Sequence, residues 1–460
     1  MKVLLVSHNY PPAHVAGTEQ YTAQLAAGLT ARGHEVCVFT TEKDIRRRHL
    51  SLTEREHEGI RVTELVNNLE YSDFRESWDQ AQVDKCFARF LAEEQPELVH
   101  FQHLLYLSVG CAEAAKDAGL PVLFTLHDYW LQCARFGQRV HADESICHEI
   151  DFERCADCLG SFRFKNSAME QRAGRLIERV HRLSGVDLSG PARVAGDLLR
   201  GREKGAAGTP LPIEQVTARA AELTQRLVAC VDRFLSPSAF LRQELVKWGL
   251  PAERFEHLRT GTDLTRFAGG TRVARTAKLR VGFIGSLIPV KGAHFLLESL
   301  ALLSESERAA LQTRIFGPAF HDAAYQAKLE STALRLGVQM GGRLERDAVA
   351  RTLRELDLLV VPSLWFENQP LIILEALAAK TPLAVSDIGG MAELVEPGQS
   401  GFRFPVGDAP ALAQLLRELI QNPVQLDELY KEAIGIPSID EQLDRVEAVY
   451  REVLAKRQAP

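Results

Sequence analysis

The 460-residue sequence predicts an α/β protein built from two consecutive doubly wound units. Three observations carry that expectation. Short apolar runs alternate with helical patterns along most of the chain, as they do when a parallel sheet is covered by helices. The alternation restarts near Leu279. The chain is also too long for one compact core.

The first run, Val3–Val6, reads as a buried strand followed by the turn-rich loop Asn9-Tyr10-Pro11-Pro12. Gly17-Thr18 then precedes a helical pattern with Tyr21, Leu25, Ala26 and Leu29 on one face, and Gly33 stands where that helix stops. Further strands are expected at Val36–Phe39, Leu98–Phe101, Val122–Leu126 and Phe234-Leu235. In the second unit they are expected at Arg280–Ile284, Arg314–Phe316, Leu358–Val361 and Leu383–Val385, with a helix from about Ala293 to Leu303. The pattern divides the chain at 1–258 and 259–439, with a final segment at 440–460 whose Leu443, Val446, Val449 and Val453 form one helix face. Residues 267–271 carry no apolar periodicity and read as the linker. A Cys-, Arg- and Gly-rich insert, about 133–222, interrupts the first unit, and 201–212 within it reads as a flexible loop.

Composition narrows the function. A formal net charge of −7 argues against a general nucleic-acid binder. No apolar run is long enough to span a bilayer, and the N-terminal run is too short for a signal-peptide core, so a cytoplasmic location is expected. The eight cysteines are then thiols or metal ligands rather than disulfides.

The strongest local signal is Trp365-Phe366-Glu367-Asn368-Gln369-Pro370-Leu371, which follows an expected strand and opens a helix containing Glu375. Pro370 suits the first helical turn. Amides of Asn368, Gln369 and Leu371 at the helix start would suit a phosphate, and the two carboxylates would suit vicinal hydroxyls. Glu367 equally fits a solvated carboxylate favoured by the helix dipole. Lys291, in Gly285-Ser286-Leu287-Ile288-Pro289-Val290-Lys291-Gly292, lies in a strand-to-helix loop where a point charge can neutralise phosphate, or where an ordinary surface lysine can sit. Gly17 permits close backbone approach of a ligand. His127 ends a strand and can hydrogen-bond a hydroxyl or serve the structure.

Two features of the insert stand apart. Cys155-x-x-Cys158 has the spacing of a zinc half-site, which Cys133 and Cys147 can complete as a structural site, with His141 and His148 as spare ligands. Four reduced thiols are the alternative. Over 169–183, Arg172, Arg175, Arg179 and Arg182 recur at helical spacing, with Met169, Ala173, Ile177 and Val180 on another face. Such a helix can lie on an anionic membrane surface or pack on the first unit.

In their order, these segments resemble the retaining glycosyltransferase family 4. The resemblance runs from Tyr10-Pro11-Pro12 and Gly17 through Arg32-Gly33-His34-Glu35-Val36, Ser236-Pro237-Ser238, Lys291-Gly292, Pro362-Ser363 and the Glu367/Glu375 pair to Gly389-Gly390 and Glu393. It implies the GT-B fold: two Rossmann-like domains facing across a cleft, the last helix returning to the N-terminal domain. It also implies transfer of a sugar from a UDP-, GDP- or ADP-sugar to a glycan, lipid-linked or small-molecule acceptor, with no cofactor or metal needed for the transfer. By the same resemblance Glu367 contacts the donor sugar and Glu375 the ribose. Asn368, Gln369, Pro370 and Leu371, with Gly17, hold the diphosphate and sugar. Lys291 stabilises the leaving group, His127 approaches the transferred sugar, and Arg343 lies where the base is seated. Three positions depart from the family pattern: Ser286 replaces an arginine, Ala16 a glycine and Thr260 an asparagine. The rival readings are a GT-B epimerase or phosphorylase and a nucleotide-sugar-binding protein of weak or no transferase activity.

Overall fold

The structure is a computed structural model; it describes residues 1–186, 209–318, 322–430 and 435–458. The chain separates into two compact units. The first comprises Met1–Ser236, Glu244–His257 and Leu443–Pro460, and the second Pro237–Gln243 and Leu258–Gln442.

In the first unit the strands are β1 (Lys2–Val6), β2 (Glu35–Glu42), β3 (Leu52–His57), β4 (Ile60–Val66), β5 (Leu98–Phe101), β6 (Val122–Thr125), β7 (Arg233–Ser236) and β8 (Phe255–His257). They form one sheet in the order β3-β4-β2-β1-β5-β6-β7-β8. Central strands of a helix-covered sheet are buried on both faces and so read as unbroken apolar runs. Val3, Leu4, Leu5 and Val6 of β1 are all fully buried. Every pairing is parallel except β3 with β4. That hairpin departs from the expected all-parallel pattern. Its turn is Glu58-Gly59, with φ of +49° and +78°, the two positive values a primed two-residue turn requires.

The second unit holds β9 (Leu279–Ile284), β10 (Leu311–Phe316), β11 (Gln339–Gly342), β12 (Leu358–Val361), β13 (Leu383–Ser386) and β14 (Gly401–Phe404), ordered β11-β10-β9-β12-β13-β14 and parallel throughout. Its core packs Val281, Phe283, Leu296, Leu300, Ile315, Leu358 and Val360 with Leu412 and Leu416 of the helix Ala409–Gln421. At the base of β9 and β12 the Asp357 carboxylate accepts from Arg280 Nε and Nη2 at 2.9 and 2.8 Å and from its backbone N at 2.8 Å. This fully hydrogen-bonded pair fixes the two strands side by side.

Both sheets reverse direction of winding at a central strand. In the first unit β1 has β2 on one side and β5 on the other; in the second β9 lies between β10 and β12. Chain connections leave such a strand pair on opposite faces, opening a crevice at their carboxyl ends. Those ends are where the candidate functional loops begin.

The final helix, Ile439–Gln458, belongs from Leu443 onward to the first unit. Leu443, Val446, Val449, Tyr450 and Val453 are buried. Gly28 gives Leu443 its room: a β-carbon there would stand 2.5 Å from Leu443 Cδ1. Glu447 meets His34 at 3.1 Å, and Asp444 meets Arg32 at 2.5 Å. Tyr450 Oη lies 2.7 Å from His100 Nδ1, whose Nε2 is 2.7 Å from Thr125 Oγ1.

Two expectations need correcting. Residues 267–271 are not the connection between the units: they lie within the second, where Gly270 packs against the Arg354 side chain and Val273 N donates to Arg354 O at 3.0 Å. Of the face assigned to Met169, Ala173, Ile177 and Val180 on the helix Ala168–Ser184, only Ile177 is buried; Met169 is 72% exposed. Most of the 201–212 loop lies outside the described residues. No helix among the described residues is long and apolar enough to cross a membrane.

Burial holds His100 neutral, with a pKa lowered to about 3. The unfolded imidazole takes up a proton below about pH 6.5, whereas the folded one refuses it until about pH 3. Stability contributed by neutral His100 is therefore complete above pH 6.5 and lost as pH falls through this window. Urea unfolding should show a midpoint that drops between pH 6.5 and 4.5, and a shallower drop in His100→Gln. Equal slopes in the two proteins would contradict the assignment.

Candidate active site

In the second unit, the loops after β9 and β12 build one cluster. The loop after β9 ends at Gly292, whose φ is +75°; a β-carbon there would lie 2.0 Å from the Pro362 carbonyl oxygen at the end of β12. Leu364 N donates to Val290 O at 2.8 Å. These contacts pin the two loops together and bring Lys291 Nζ to 2.6 Å from Glu367 Oε1. Ser363 Oγ donates to the same oxygen at 2.9 Å, and the ammonium lies 5.0 Å from the centre of the Trp365 ring. Glu367 is buried, while Lys291 keeps a quarter of its side-chain surface open. An ammonium has three N–H donors, and Glu367 takes one of them.

The backbone of Glu367 and Asn368 is held from behind by the Gly389-Gly390 turn. Gly390 N donates to Glu367 O at 3.0 Å, and a β-carbon on Gly390 would meet the Asn368 carbonyl oxygen at 1.8 Å. Glu393, three residues on, accepts from the amides of Ala239 and Phe240 at 3.0 and 2.9 Å, so its carboxylate is a helix cap.

Helix Leu371–Ala378 opens the other wall. The sequence reading put Pro370 in its first turn; Pro370 is instead the capping residue, with φ −62° and an extended ψ of 121°. Its carbonyl accepts from Ile373 N at 3.0 Å. The amides at the mouth of the helix are thus those of Leu371, as expected, and Ile372 rather than Asn368 and Gln369, and they have no carbonyl a turn behind them. The Gln369 side chain is held in place: its Oε1 accepts from Thr260 N at 2.7 Å, while its Nε2 is buried with no hydrogen-bond partner. Glu375 is paired with Arg266 Nη1 at 3.2 Å, and burial raises its pKa while Arg266 opposes the rise. Arg266 escaped the sequence reading because it stands in an aperiodic stretch beside the supposed linker.

Ser286 is half-buried in the loop after β9, its carbonyl accepting from Ile288 N at 2.9 Å. Arg343 is exposed, just past β11 at the sheet edge.

In the first unit the polar groups gather at the carboxyl ends of β1, β5 and β6. Gly17 opens the helix Gly17–Ala31, and the space its β-carbon would occupy is empty to 4 Å. Glu19, two residues on, is buried, with Oε1 at 3.4 Å from His8 Nε2. His127 Nε2 lies 3.0 Å from Gln102 Oε1, and its ring stands 4.7 Å from that of Tyr21. Burial first, and His103 second, lower the His127 pKa to about 3, so the imidazole is neutral. His103 in turn meets Asp128 Oδ2 at 3.0 Å, and its ring centre lies 4.6 Å from that of His8, tilted by 57°. His8, Glu19 and His103 were missed by the sequence reading, although polar residues directly after apolar strands were the available signal.

Residues 272–435 match the family of glycosyl transferases group 1, and residues 16–150 match the glycosyl transferase 4-like domain. The chain is a GT-B glycosyltransferase of the family 4 type. It is 28% identical over 238 residues to the amylovoran biosynthesis glycosyltransferase AmsK of Erwinia amylovora, covering 51% of this chain and 56% of that protein. It is 23% identical over 429 residues to the glycogen synthase of Mycobacterium tuberculosis, covering 92% and 87%. The chain thus spans about half the length of the first relative. Among solved structures, Anabaena HepE in complex with UDP matches with a TM-score of 0.63 at 16% identity over 98% of this chain and 100% of that one. Sucrose-phosphate synthase from Thermosynechococcus elongatus matches at 0.65 and 17% identity, over 99% of both. These two likenesses show the fold.

Lys291→Ala and Glu367→Ala should each lower sugar-transfer turnover by about 100-fold or more, the scale for losing one preorganised electrostatic group. Thermal melts run alongside separate this from unfolding. Near-normal turnover in both folded variants would contradict the site.

Proposed function

We propose that this protein is a retaining glycosyltransferase that moves a hexose from a nucleoside diphosphate sugar to a carbohydrate or lipid-linked acceptor. The observation that carries the reading is the Lys291–Glu367 pair beside the opening of the helix Leu371–Ala378. An anion placed there meets an ammonium and helix-start amides together. Glu367 offers a buried, oriented carboxylate to sugar hydroxyls, and Glu375 with Arg266 offers polar groups to the ribose. The likeness in fold to Anabaena HepE, solved in complex with UDP, supports a uridine donor, and the likeness to AmsK supports an acceptor in polysaccharide assembly.

In this reading the bond from the anomeric carbon to the β-phosphate oxygen breaks as the acceptor oxygen bonds to the same face. The acceptor proton leaves with the departing phosphate. Lys291 and the amides of Leu371 and Ile372 stabilise charge growing on that phosphate. His127 contributes as a neutral hydrogen-bonding group and not as a cation, because burial holds it unprotonated. None of these steps calls on a metal ion.

One observation favours the second reading, a nucleotide-sugar-binding protein of weak turnover. Ser286 supplies no charge where the family pattern has arginine, and Lys291 already shares its charge with Glu367. Release of nucleoside diphosphate from UDP-, GDP- and ADP-sugars, measured with and without oligosaccharide acceptors, separates the readings. Acceptor-dependent release, with NMR of the product showing the donor's anomeric configuration, is the expected result. Binding without release under any acceptor supports the alternative, and an inverted product contradicts retention.

We also infer a contact with anionic lipid through the helix Ala168–Ser184. Met169, Leu176 and Leu183, at seven-residue spacing, are exposed on one face, beside exposed Arg172 and Arg179. Apolar side chains flanked by arginines match an anionic membrane surface. The protein should sediment with phosphatidylglycerol vesicles at low salt and release at high salt. Equal behaviour with neutral and anionic vesicles would refute the contact.

A further inference from the structure

The insert of the first unit carries a feature that sugar transfer does not use. Cys133, Cys147, Cys155 and Cys158 come from three separate pieces of chain: the loop after β6, the end of a small hairpin and the helix Phe152–Gly160. All four line one cavity of about 30 Å³, which His141 also faces. That volume exceeds the roughly 10–15 Å³ a water-sized body needs. Cys155 and Cys158, three apart, share a helix face. Cys147 and Cys158 are buried, and Cys133 and Cys155 half-buried.

We propose that Cys133, Cys147, Cys155 and Cys158 bind one structural zinc ion in this cavity. Four thiolates in a closed set are the usual ligands of such a site. Binding is a plain exchange: four thiols yield four protons and take up one Zn²⁺, leaving a site of net charge −2 with no change of oxidation state.

The surroundings fit that charge. Arg219, fully buried, and Arg135 both line the cavity. Beside Cys133 the turn Phe136-Gly137 has φ of +54° and +71°, and Gly137 N donates to Cys133 O at 2.9 Å. His141 Nδ1 stands 3.4 Å from Cys158 Sγ, the place of an outer group that orients a ligand.

Cys147 Sγ donates to Glu149 O at 3.1 Å. Among the described residues no three Cys, His, Asp or Glu side chains already stand together as a ligand set. Rotation about χ1 between staggered wells swings a cysteine sulfur from the cavity wall into the space it encloses. The apolar cluster around the insert is small, only Phe74, Ala156, Leu159 and Val216 with half-buried neighbours. An ion tying three chain segments together would supply order that this core does not.

The test uses the full chain purified without a histidine tag. Elemental analysis should find about one zinc per chain. All eight cysteines should titrate as thiols in the denatured, unreduced protein. Cobalt exchanged into the wild type should give a thiolate-to-cobalt charge-transfer band with tetrahedral d–d absorption. The Cys155→Ser/Cys158→Ser variant should lose the metal. A folded wild type free of zinc overturns the proposal, as do four missing thiols, which would mean disulfides. Cobalt bound without the charge-transfer band overturns it too, and so does zinc retained in the double variant. The cobalt spectrum needs no variant, so the proposal stands or falls even if the double variant does not fold.

Discussion

A lysine and a glutamate held 2.6 Å apart, with the carboxylate buried, are the constraint around which the second unit is arranged. Burying two charges costs desolvation that their attraction only partly returns, and removing one partner strands the other. The pair therefore persists only where backbone geometry enforces it. That enforcement is layered. Arg280 and Asp357 lock β9 to β12 at the base of the sheet. At the top, Gly292 lets the two following loops touch, and Gly389-Gly390 supports the Glu367 backbone from behind. Each glycine stands where a β-carbon would strike a carbonyl oxygen.

The same topological device serves both units with opposite electrostatics. At the reversal point of the second sheet the polar groups are a cation, its carboxylate and helix-start amides, a set that receives anions. At that of the first they are His8, His103 and His127 with Glu19 and Asp128, burial holding His8 and His127 neutral, a set that can exchange hydrogen bonds with neutral hydroxyls. Such a division suits a nucleotide sugar and a carbohydrate.

Much of this was legible in the sequence, for physical reasons. Strands buried on both faces announce themselves as apolar runs, so β1, β5, β6, β9 and β12 were visible, and the loops following them carried the candidate residues. That Lys291 and Glu367 serve one site was implied by the family resemblance, since each residue by itself fitted an ordinary surface role as well. What was hidden was half-exposed or non-periodic. The strand β3 has exposed and half-buried residues that show no apolar run, although Glu58-Gly59 marked its turn. Arg266 is invisible because its partner Glu375 is 109 residues away. Pro370 shows the limit of a residue-level rule: its φ suits either the first turn or the cap, and the extended ψ that decides between them is set by the loop.

The account rests on the opening of helix Leu371–Ala378 as the place where the diphosphate sits. Hydrogen–deuterium exchange with and without UDP tests that directly. The account predicts slowed exchange in peptides covering 285–292 and 363–373, with the largest effect at the amides of Leu371 and Ile372. Saturating UDP that leaves both peptides unprotected would contradict it.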